Sequence, residues 1–446
     1  MKFARIGAAV AAATMIVAAC GSSSGTASPS AAASAAASSA ASAAASQAAS
    51  QAAAIDVKVG IEFPMSGGEA PNGVPSANGV ALALAQIQVP GFNITINQQD
   101  DAVNGQHNPQ QGAKNMSTLV NDPKVLFVVG PYNSNVAAAE IPVGNAAGLA
   151  QCSPANTNPG LTKTWPSYDY KALRSTNPDK NNYFRTATTD DLQGAAGADI
   201  AFNLAKAKKA YVADDVEAYG KGLADVFVTS FTKLGGTIVG RDSIPTSTTD
   251  FSSFATKLKG LNPDYVFYGG VTTSGIGLFR NQMASAGLGA IPLGGGDGIV
   301  DGAASVKSSF LQIAGDGATN TYGTTAGPND IASDASPSPA DLTAAYKAKF
   351  NTDPGAYTAA SYACTQAFLQ ALKDVAPAAG GDLAKLREGV RAYLADTTHS
   401  YKSALGSFSF DAAGDTSQKI ISYFQYDATS KGWKFLSQRD FVKNPF

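Results

Sequence analysis

Apolar and polar positions alternate along the chain in patterns that predict strands and helices in turn. Residues 125–129 (VLFVV) form a continuous apolar run that ends at Gly130-Pro131, as expected for a strand buried on both faces. Between such runs the apolar residues recur at helical spacing. The first part of the chain is therefore expected to hold strands at 57–63, 92–98, 125–129 and 149–152, with helices at 77–87, 109–120 and 136–147.

The same alternation restarts after Asp191, which predicts a second sheet joined to the first near residues 184–191. Strands that alternate with helices of this length form parallel sheets, so the expected fold class is α/β. In the second half we expect helices at 193–205, 222–233, 251–260, 337–351 and 355–375, with strands at 209–213, 237–243, 265–268, 407–410 and 420–426.

The first twenty residues have the features of an export signal. An apolar stretch at 6–17 follows Lys2 and Arg5 and is shorter than the about 20 residues that span a membrane. It ends in Val-Ala-Ala-Cys at 17–20, which resembles the bacterial lipobox, whose cysteine receives a diacylglycerol. An ordinary signal peptide is the alternative. We expect residues 1–20 to be a lipoprotein signal peptide and Cys20 to carry the lipid.

Residues 21–54 are almost entirely Ala and Ser, a composition that cannot bury a core. We interpret this segment as a tether between the lipid and the folded part. The protein is then expected outside the cytoplasm, anchored to the bacterial cell membrane.

Charge and residue counts exclude several function classes. Lys and Arg number 32 against 34 Asp and Glu, so no field of one sign attracts nucleic acid. His107 and His399 stand in polar segments and are expected to be solvated, so neither a metal site nor a cofactor is expected. Cys152 and Cys364 are either buried free thiols, which their apolar surroundings favour, or a disulfide bridge.

The motifs of common enzyme classes are missing from the folded part. From Ile55 onward there is no GxSxG elbow, no GxxxxGK[ST] phosphate loop, no HExxH and no CxxC. Residues 294–298 (GGGDG) lack the spacing of a dinucleotide fingerprint, and their glycines are expected to let the backbone turn sharply or approach a ligand. We therefore expect a binding protein that is not an enzyme.

Four segments carry a resemblance to a known family. They are residues 59–67 (VGIEFPMSG), 128–134 (VVGPYNS) with 153–157 (SPANT), 219–222 (YGKG), and 264–270 (DYVFYGG) with 286–288 (AGL) and 295–298 (GGDG). In these segments the chain resembles the type I periplasmic binding proteins, and among these the leucine/isoleucine/valine-binding proteins of branched-chain amino-acid ABC transporters. The resemblance implies two Rossmann-like lobes that are joined by three crossings and hold a ligand between them.

The resemblance also implies roles for particular residues. Ser134 and Thr157 match the serine and threonine that bind the ligand carboxylate, although Ser134 could instead be a helix N-cap. Asp297 matches the glutamate that accepts the ligand ammonium, with a simple turn aspartate as the alternative. The carbonyl of Ala155 is expected to assist it, and Tyr219 is expected to pack against the ligand unless it is a surface residue.

Three positions depart from the family pattern and are expected to reshape the side-chain pocket. Asn72 replaces an aromatic residue, Asn156 replaces an alanine, and Val271 replaces a tyrosine. Relatives with this fold bind amides, urea and aromatic acids, so these ligands stay open beside an amino acid.

The predicted lobes are residues 55–187 with 331–415 and residues 188–330 with 416–446. We expect a monomer that delivers a small amino acid to the permease of an ABC importer. A sensory ligand-binding module is the alternative.

Overall fold

A computed structural model describes residues 54–331 and 333–446. The predicted signal peptide, Cys20 and the tether up to residue 53 lie outside the described residues. Within the described part, no helix is long and apolar enough to span a membrane. In the same residues, no group of three or more His, Cys, Asp or Glu side chains is arranged to hold a metal ion.

The first sheet has five strands: β1 (Ile55–Phe63), β2 (Phe92–Asp100), β3 (Val125–Val129), β4 (Ala150–Ser153) and β5 (Tyr183–Arg185). Its order is β2-β1-β3-β4-β5 and all of its strands are parallel. The central strand β3 has no exposed side chain. Val59 of β1 pairs with Ile96 of β2 on one side and with Phe127 of β3 on the other, which sets the register.

The second sheet has seven strands: β6 (Lys209–Asp214), β7 (Thr237–Ser243), β8 (Tyr265–Gly269), β9 (Leu293–Gly295), β10 (Thr321–Thr325), β11 (Ile420–Asp427) and β12 (Gly432–Asp440). Their order is β12-β11-β10-β9-β8-β6-β7. The expectation of a parallel sheet is wrong at one edge, where β11 runs antiparallel to both β10 and β12. The loop between Asp427 and Gly432 is too short for the crossover that a parallel pair requires.

Helices cover both sheets. They are α1 (Ala70–Gln86), α2 (Pro109–Asn121), α3 (Ser134–Ala147), α4 (Asp190–Asp199), α5 (Ala218–Lys233), α6 (Ser252–Leu261), α7 (Ile276–Met283), α8 (Phe310–Ala314), α9 (Pro339–Phe350), α10 (Thr358–Ala379) and α11 (Leu383–Ala395). Local signals explain several starts: the side chains of Asn108, Ser338 and Asp382 cap α2, α9 and α11.

Each sheet has its own hydrophobic core, which divides the molecule into two lobes. In the first lobe, β1 and β3 pack against α10 and α11, for example through Phe127 and Phe368, whose ring centres lie 5.1 Å apart. A short hairpin, Tyr401–Ser403 with Gly406–Phe408, joins the same core. In the second lobe, β6 and β8 pack against α5 on one face, where Phe227 stacks on Phe267.

The chain passes between the two sheets three times, and the three crossings lie side by side. They connect β5 to α4, β10 to α9, and the short hairpin to β11. Thr188 of the first crossing donates its N–H to the carbonyl of Ala326 in the second at 2.9 Å. Its hydroxyl donates to the carbonyl of Ile420 at the end of the third, also at 2.9 Å. A change in the angle between the lobes must therefore bend all three segments together.

A disulfide joins Cys152 in β4 to Cys364 in α10, so the interpretation of these residues as free thiols is wrong. Their Cα atoms are 5.8 Å apart, within the usual range for a bridge. The two residues are separated by 212 positions in sequence, and only the packing of α10 on the first sheet brings them together. The bridge therefore links α10, which follows the second crossing, covalently to the sheet of the first lobe.

Candidate functional site

The carboxyl ends of strands from both sheets meet at a small cavity between the lobes, where open α/β sheets place their ligands. Its volume is about 20 Å³, which holds about one water molecule. A ligand as large as an amino acid can enter only when the lobes part. The lining residues are Tyr132, Asn133, Ser134, Asn135, Ala155, Thr157, Glu217, Tyr219, Val271, Asp297 and Gly298.

Two glycines let the backbone approach this cavity closely. Gly130 has φ +132°, and a Cβ there would collide with the backbone of Glu62. This geometry directs the chain after β3 towards Ser134. A Cβ at Gly296 would collide with the hydroxyl of Tyr219, so glycine here allows Tyr219 to reach Asp297.

Asp297 forms the centre of the site. Its side chain is 3% exposed, and each carboxylate oxygen accepts a hydrogen bond at 2.8 Å: Oδ1 from Tyr219 and Oδ2 from Tyr357. Burial raises the pKa of Asp297, and the hydrogen bonds from Tyr357 and Tyr219 oppose that rise. Tyr219 belongs to the second lobe, whereas Tyr357 stands just before α10 in the first. The carboxylate is therefore held from both lobes.

Tyr357 was missed by the sequence analysis. It follows a Pro-Gly pair at the predicted start of a helix, a position that usually indicates a turn rather than a site. Its side chain packs edge-on against Tyr132, with ring centres 5.8 Å apart. This contact forms because the chain returns to the first lobe after the second crossing, which the sequence alone does not show.

Ser134 and Thr157 lie on the first-lobe side of the cavity. Ser134 opens α3, whose N-terminal N–H groups favour a negative charge. Its hydroxyl accepts a hydrogen bond from the N–H of Asn158 at 3.3 Å and does not cap its own helix. Thr157 follows β4 and is 1% exposed. Ala155 and Val271 also line the cavity, as the sequence analysis expected.

Asn156 and Asn72 do not line the cavity. The amide of Asn156 donates to the carbonyl of Tyr132 at 2.7 Å and accepts from the hydroxyl of Tyr183 at 2.9 Å. These bonds fix the two loops that carry Ser134 and Thr157. Asn72 is buried within α1, outside the cavity lining.

A charged cluster joins the lobes at the rim of the cavity. His107 is its central member, so the expectation that His107 is solvated is wrong. The imidazole Nδ1 lies 2.5 Å from Glu69 of the first lobe, and Nε2 lies 3.0 Å from Glu217 of the second. Burial alone would lower the pKa of His107, but the two carboxylates outweigh it and raise the pKa well above 6.5. Asn135 donates to Glu217 at 3.0 Å, and Thr273 of the second lobe donates to Glu69 at 2.8 Å.

A larger groove of about 660 Å³ lies elsewhere, along α5 and the loop that contains Trp165. Its lining includes the exposed side chains of Val216 and Lys221. The small cavity, by contrast, collects buried polar groups from both lobes at the carboxyl ends of the strands, where open α/β sheets bind ligands. The small cavity is therefore the candidate ligand site.

Residues 56–431 match the model of a protein family described as periplasmic binding protein. The chain belongs to the periplasmic binding protein family. Among its relatives, Leu/Ile/Val-binding protein homolog 1 of Brucella abortus is 30% identical over 380 residues, which cover 83% of this chain and 90% of the relative.

Two solved structures are similar to this two-lobed protein. One is the substrate-binding protein LivJ of a branched-chain amino acid transporter from Streptococcus pneumoniae, in complex with isoleucine. It has a TM-score of 0.70 and 25% identity, and the match covers 86% of this chain and 99% of LivJ. The other is a solute-binding protein of an ABC transporter from R. palustris in complex with benzoate, with a TM-score of 0.67, 22% identity, and coverage of 86% and 96%.

Membership confirms the α/β fold with two lobes and the resemblance that the sequence analysis identified. The protein is a periplasmic substrate-binding protein of the branched-chain amino acid ABC transporter type and not an enzyme, and it acts outside the cytoplasm.

Proposed function

We propose that this protein is the monomeric, lipid-anchored substrate-binding protein of an ABC importer and that it binds a small neutral amino acid between its lobes. The boundaries proposed for the lobes are residues 55–187 with 331–415 and residues 188–330 with 416–446. The observation that carries the proposal is the position of Asp297, a buried carboxylate held by one tyrosine from each lobe.

A zwitterion that leaves water needs a partner for each charge. Asp297 offers a negative charge to the ammonium group. Ser134 and Thr157, with the N-terminus of α3, offer donors to the carboxylate from the facing lobe. An α-amino acid fits this arrangement because its two charged groups share one carbon atom and reach both faces together.

The comparisons support the same ligand class. LivJ, at 25% identity, is solved with isoleucine. The similar protein solved with benzoate keeps an aromatic acid as the second candidate, together with an amide or urea. Val271 lines the cavity where the family pattern has a tyrosine, so a ligand side chain of moderate size would find more space there once the lobes part.

A thermal-shift screen of the full chain against the common L-amino acids, small amides and aromatic acids tests the ligand class. Bound ligand should first be removed by unfolding and refolding. A ligand at about 100 times its dissociation constant adds about 2.7 kcal/mol of stability, so a neutral L-amino acid should raise the melting temperature clearly. Stabilisation by aromatic acids alone, or by no compound, would contradict the proposal.

Fractionation of the native host tests the lipid anchor. Cys20→Ser should move the protein from the membrane fraction to the fluid outside the cell membrane, whereas Ser22→Ala should leave it on the membrane. A Cys20→Ser protein that still fractionates with the membrane would refute the anchor.

A further inference from the structure

Arg185, the last residue of β5, carries a charge that is completely buried in the first lobe. Its Nε donates to Oδ1 of Asp415 at 2.6 Å, although the two residues are 230 positions apart in sequence. Its Nη2 donates to the hydroxyl of Thr162 at 2.5 Å. Burial alone would lower the pKa of Arg185, but the charge of Asp415 outweighs it and raises the pKa. The guanidinium therefore keeps its positive charge inside the protein.

The third nitrogen of the guanidinium, Nη1, brackets Thr157. It donates to the carbonyl of Asn156 at 3.2 Å and to the carbonyl of Asn158 at 2.8 Å, one on each side of Thr157 in sequence. Thr157 lines the cavity, whereas Arg185 does not. Any effect of this charge on a ligand must therefore pass through the loop that contains Thr157.

The peptide unit between Asn156 and Thr157 connects the charge to the cavity. This peptide bond is trans, and in a planar trans peptide the C=O and N–H groups point in opposite directions. The N–H of Thr157 therefore points away from the guanidinium. The N–H groups of Asn156 and Asn158 are already used, by Oγ of Ser153 at 2.9 Å and Oγ of Ser134 at 3.3 Å. Among the described residues, the N–H of Thr157 has no acceptor.

A second fully buried arginine lacks this connection to the cavity. Arg280 in α7 donates to the carbonyls of Gly289, Ile291 and Gly317. None of these three residues lines the cavity. Arg280 thus supports loops of the second lobe only, and it serves as the matched comparison for a buried arginine placed behind the cavity.

We propose that Arg185 is a positioning residue that makes the first-lobe side of the cavity prefer a carboxylate to an uncharged amide. The inference rests on the proposed function and assigns part of its specificity to a residue that does not touch the ligand. A ligand carboxylate bonded to the N–H of Thr157 would lie no more than about 8 Å from the guanidinium, the length of two hydrogen bonds and one peptide unit. At that distance a unit charge changes affinity by about tenfold or more at the effective dielectric constant of a protein site.

A purely structural role, in which the pair of Arg185 and Asp415 only holds the loop around Thr157, is the competing explanation. Arg185→Gln removes the positive charge behind Thr157, whereas Asp415→Asn leaves that charge in place. Both substitutions break the same ion pair. If the pair only holds the loop, both variants should weaken acid and amide ligands by similar factors. If the charge sets the preference, only Arg185→Gln should lose it.

Calorimetric titration tests the inference with the tightest binder among L-leucine, L-isoleucine, L-valine and L-alanine, and with its carboxamide. The titrations are made at about pH 6, where both ligands keep a charged ammonium group. Wild type should bind the acid at least about tenfold more tightly than the amide, and Arg185→Gln should reduce this ratio roughly tenfold. Asp415→Asn should keep the ratio at or above that of wild type. Arg280→Gln should leave it within about threefold of wild type.

The possible outcomes separate the two proposals. If wild type binds none of these amino acids, the proposed function falls and this inference with it. If wild type binds one, an unchanged ratio in Arg185→Gln, or an equal loss of the ratio in Arg185→Gln and Asp415→Asn, overturns only the inference.

Arg185→Gln leaves the carboxylate of Asp415 buried without its main partner, so its folding must be checked by a thermal melt. Should it not fold, the double variant with Asp415→Asn removes both charges, and its ratio should also fall. Should neither fold, the ratio of wild type itself decides, because equal affinity for the acid and the amide would overturn the inference while leaving the proposed function intact.

Discussion

The interior of the cleft and its rim both join the lobes, but they balance charge differently. In the interior, Asp297 is the charged member and its protein partners, Tyr219 and Tyr357, are neutral hydroxyls. At the rim, His107 lies between Glu69 and Glu217, so opposite charges meet within the protein. In the interior, only a ligand can bring a cation to the carboxylate of Asp297, whereas both rim carboxylates already face the imidazole of His107.

This difference assigns separate tasks to the two regions. A ligand that touches both lobes favours the closed state only through groups that differ between the open and closed states. In the interior, closure depends on the ligand, because the ligand contacts groups of both lobes there. The rim contacts form on closure whether or not a ligand is present, and their strength depends on the protonation of His107. The two regions should therefore respond differently to mutation and to pH.

Removing the interior charge should have the largest effect. Asp297→Ala leaves a ligand ammonium buried without its main partner, and breaking such a pair costs about 3–5 kcal/mol. The affinity for the amino acid should fall by about two to three orders of magnitude, with Asp297→Asn in between. Titration calorimetry measures both variants. Asp316→Ala, an exposed change in the same lobe, should bind as wild type does. An Asp297→Ala protein that binds within a few-fold would reduce Asp297 to a turn residue.

Tyr357→Phe should weaken binding less, because it removes a single donor to the same carboxylate. A hydrogen bond to a charged group contributes about 1.5–3 kcal/mol, or roughly 10- to 100-fold in affinity. The hydroxyl belongs to the first lobe, so the loss reports on closure as well as on the site. Tyr346→Phe, in α9 of the same lobe, is the matched control. Equal effects of the two changes would mean that Tyr357 does not connect the lobes.

From the charged cluster at the rim, we expect the affinity for the amino acid to decrease as pH rises. In the closed state Glu69 and Glu217 raise the pKa of His107 well above 6.5. Opening of the cleft would separate Glu217 of the second lobe from the imidazole. Asp101 and Asp215 also interact with this imidazole. Because the closed-state pKa is the higher one, the contribution of the rim is complete below the open-state pKa. It is lost as pH rises from above about 6.5 through the closed-state pKa.

Binding constants measured across pH 6 to 10 test this dependence. Wild type should lose a few-fold in affinity across that range, and His107→Gln should show a flatter profile. His399→Gln serves as the control, because His399 lies against Tyr393 in the first lobe, away from the rim. If His107→Gln and wild type have the same pH profile, the rim does not couple closure to protonation.

Small-angle scattering should detect the smallest effect, the closure itself. The cavity cannot admit an amino acid unless the lobes part, and the crossings at Thr188 must bend together. A saturating amino acid should decrease the radius of gyration, as expected for hinge closure. An unchanged radius would favour a rigid groove and would remove the basis for comparing interior with rim.

The fold was largely predictable because strongly periodic segments determine it. The five-residue apolar run of β3 and the helices α2, α5 and α6 appear close to their predicted bounds. β5, β9 and β10 were not predicted, because they are short and carry polar or glycine residues that only a sheet neighbour stabilises. α11 and β12 were not predicted either, because their sequence patterns are weaker than their tertiary contacts.

The site was predictable where one segment carries its own signal. Ser134 and Thr157 each follow a predicted buried strand, so their place at the carboxyl edge of a sheet could be inferred. Asp297 follows β9, which was not predicted, and only the family resemblance indicated it. Tyr357, the pairing of His107 with Glu217, and the Cys152–Cys364 bridge depend on residues far apart in sequence. Such contacts require the relative position of the two lobes or of distant helices, which no local pattern contains.

The central claim is that the cleft recognises the ammonium group of an amino acid through its interior carboxylate. The most direct measurement is a calorimetric comparison, on wild-type protein freed of ligand, of L-leucine or the tightest-binding neutral L-amino acid with its des-amino acid. The account predicts that the amino acid binds at least about 100-fold more tightly, equivalent to about 2.7 kcal/mol. Equal affinities, or tighter binding of the des-amino acid, would contradict it.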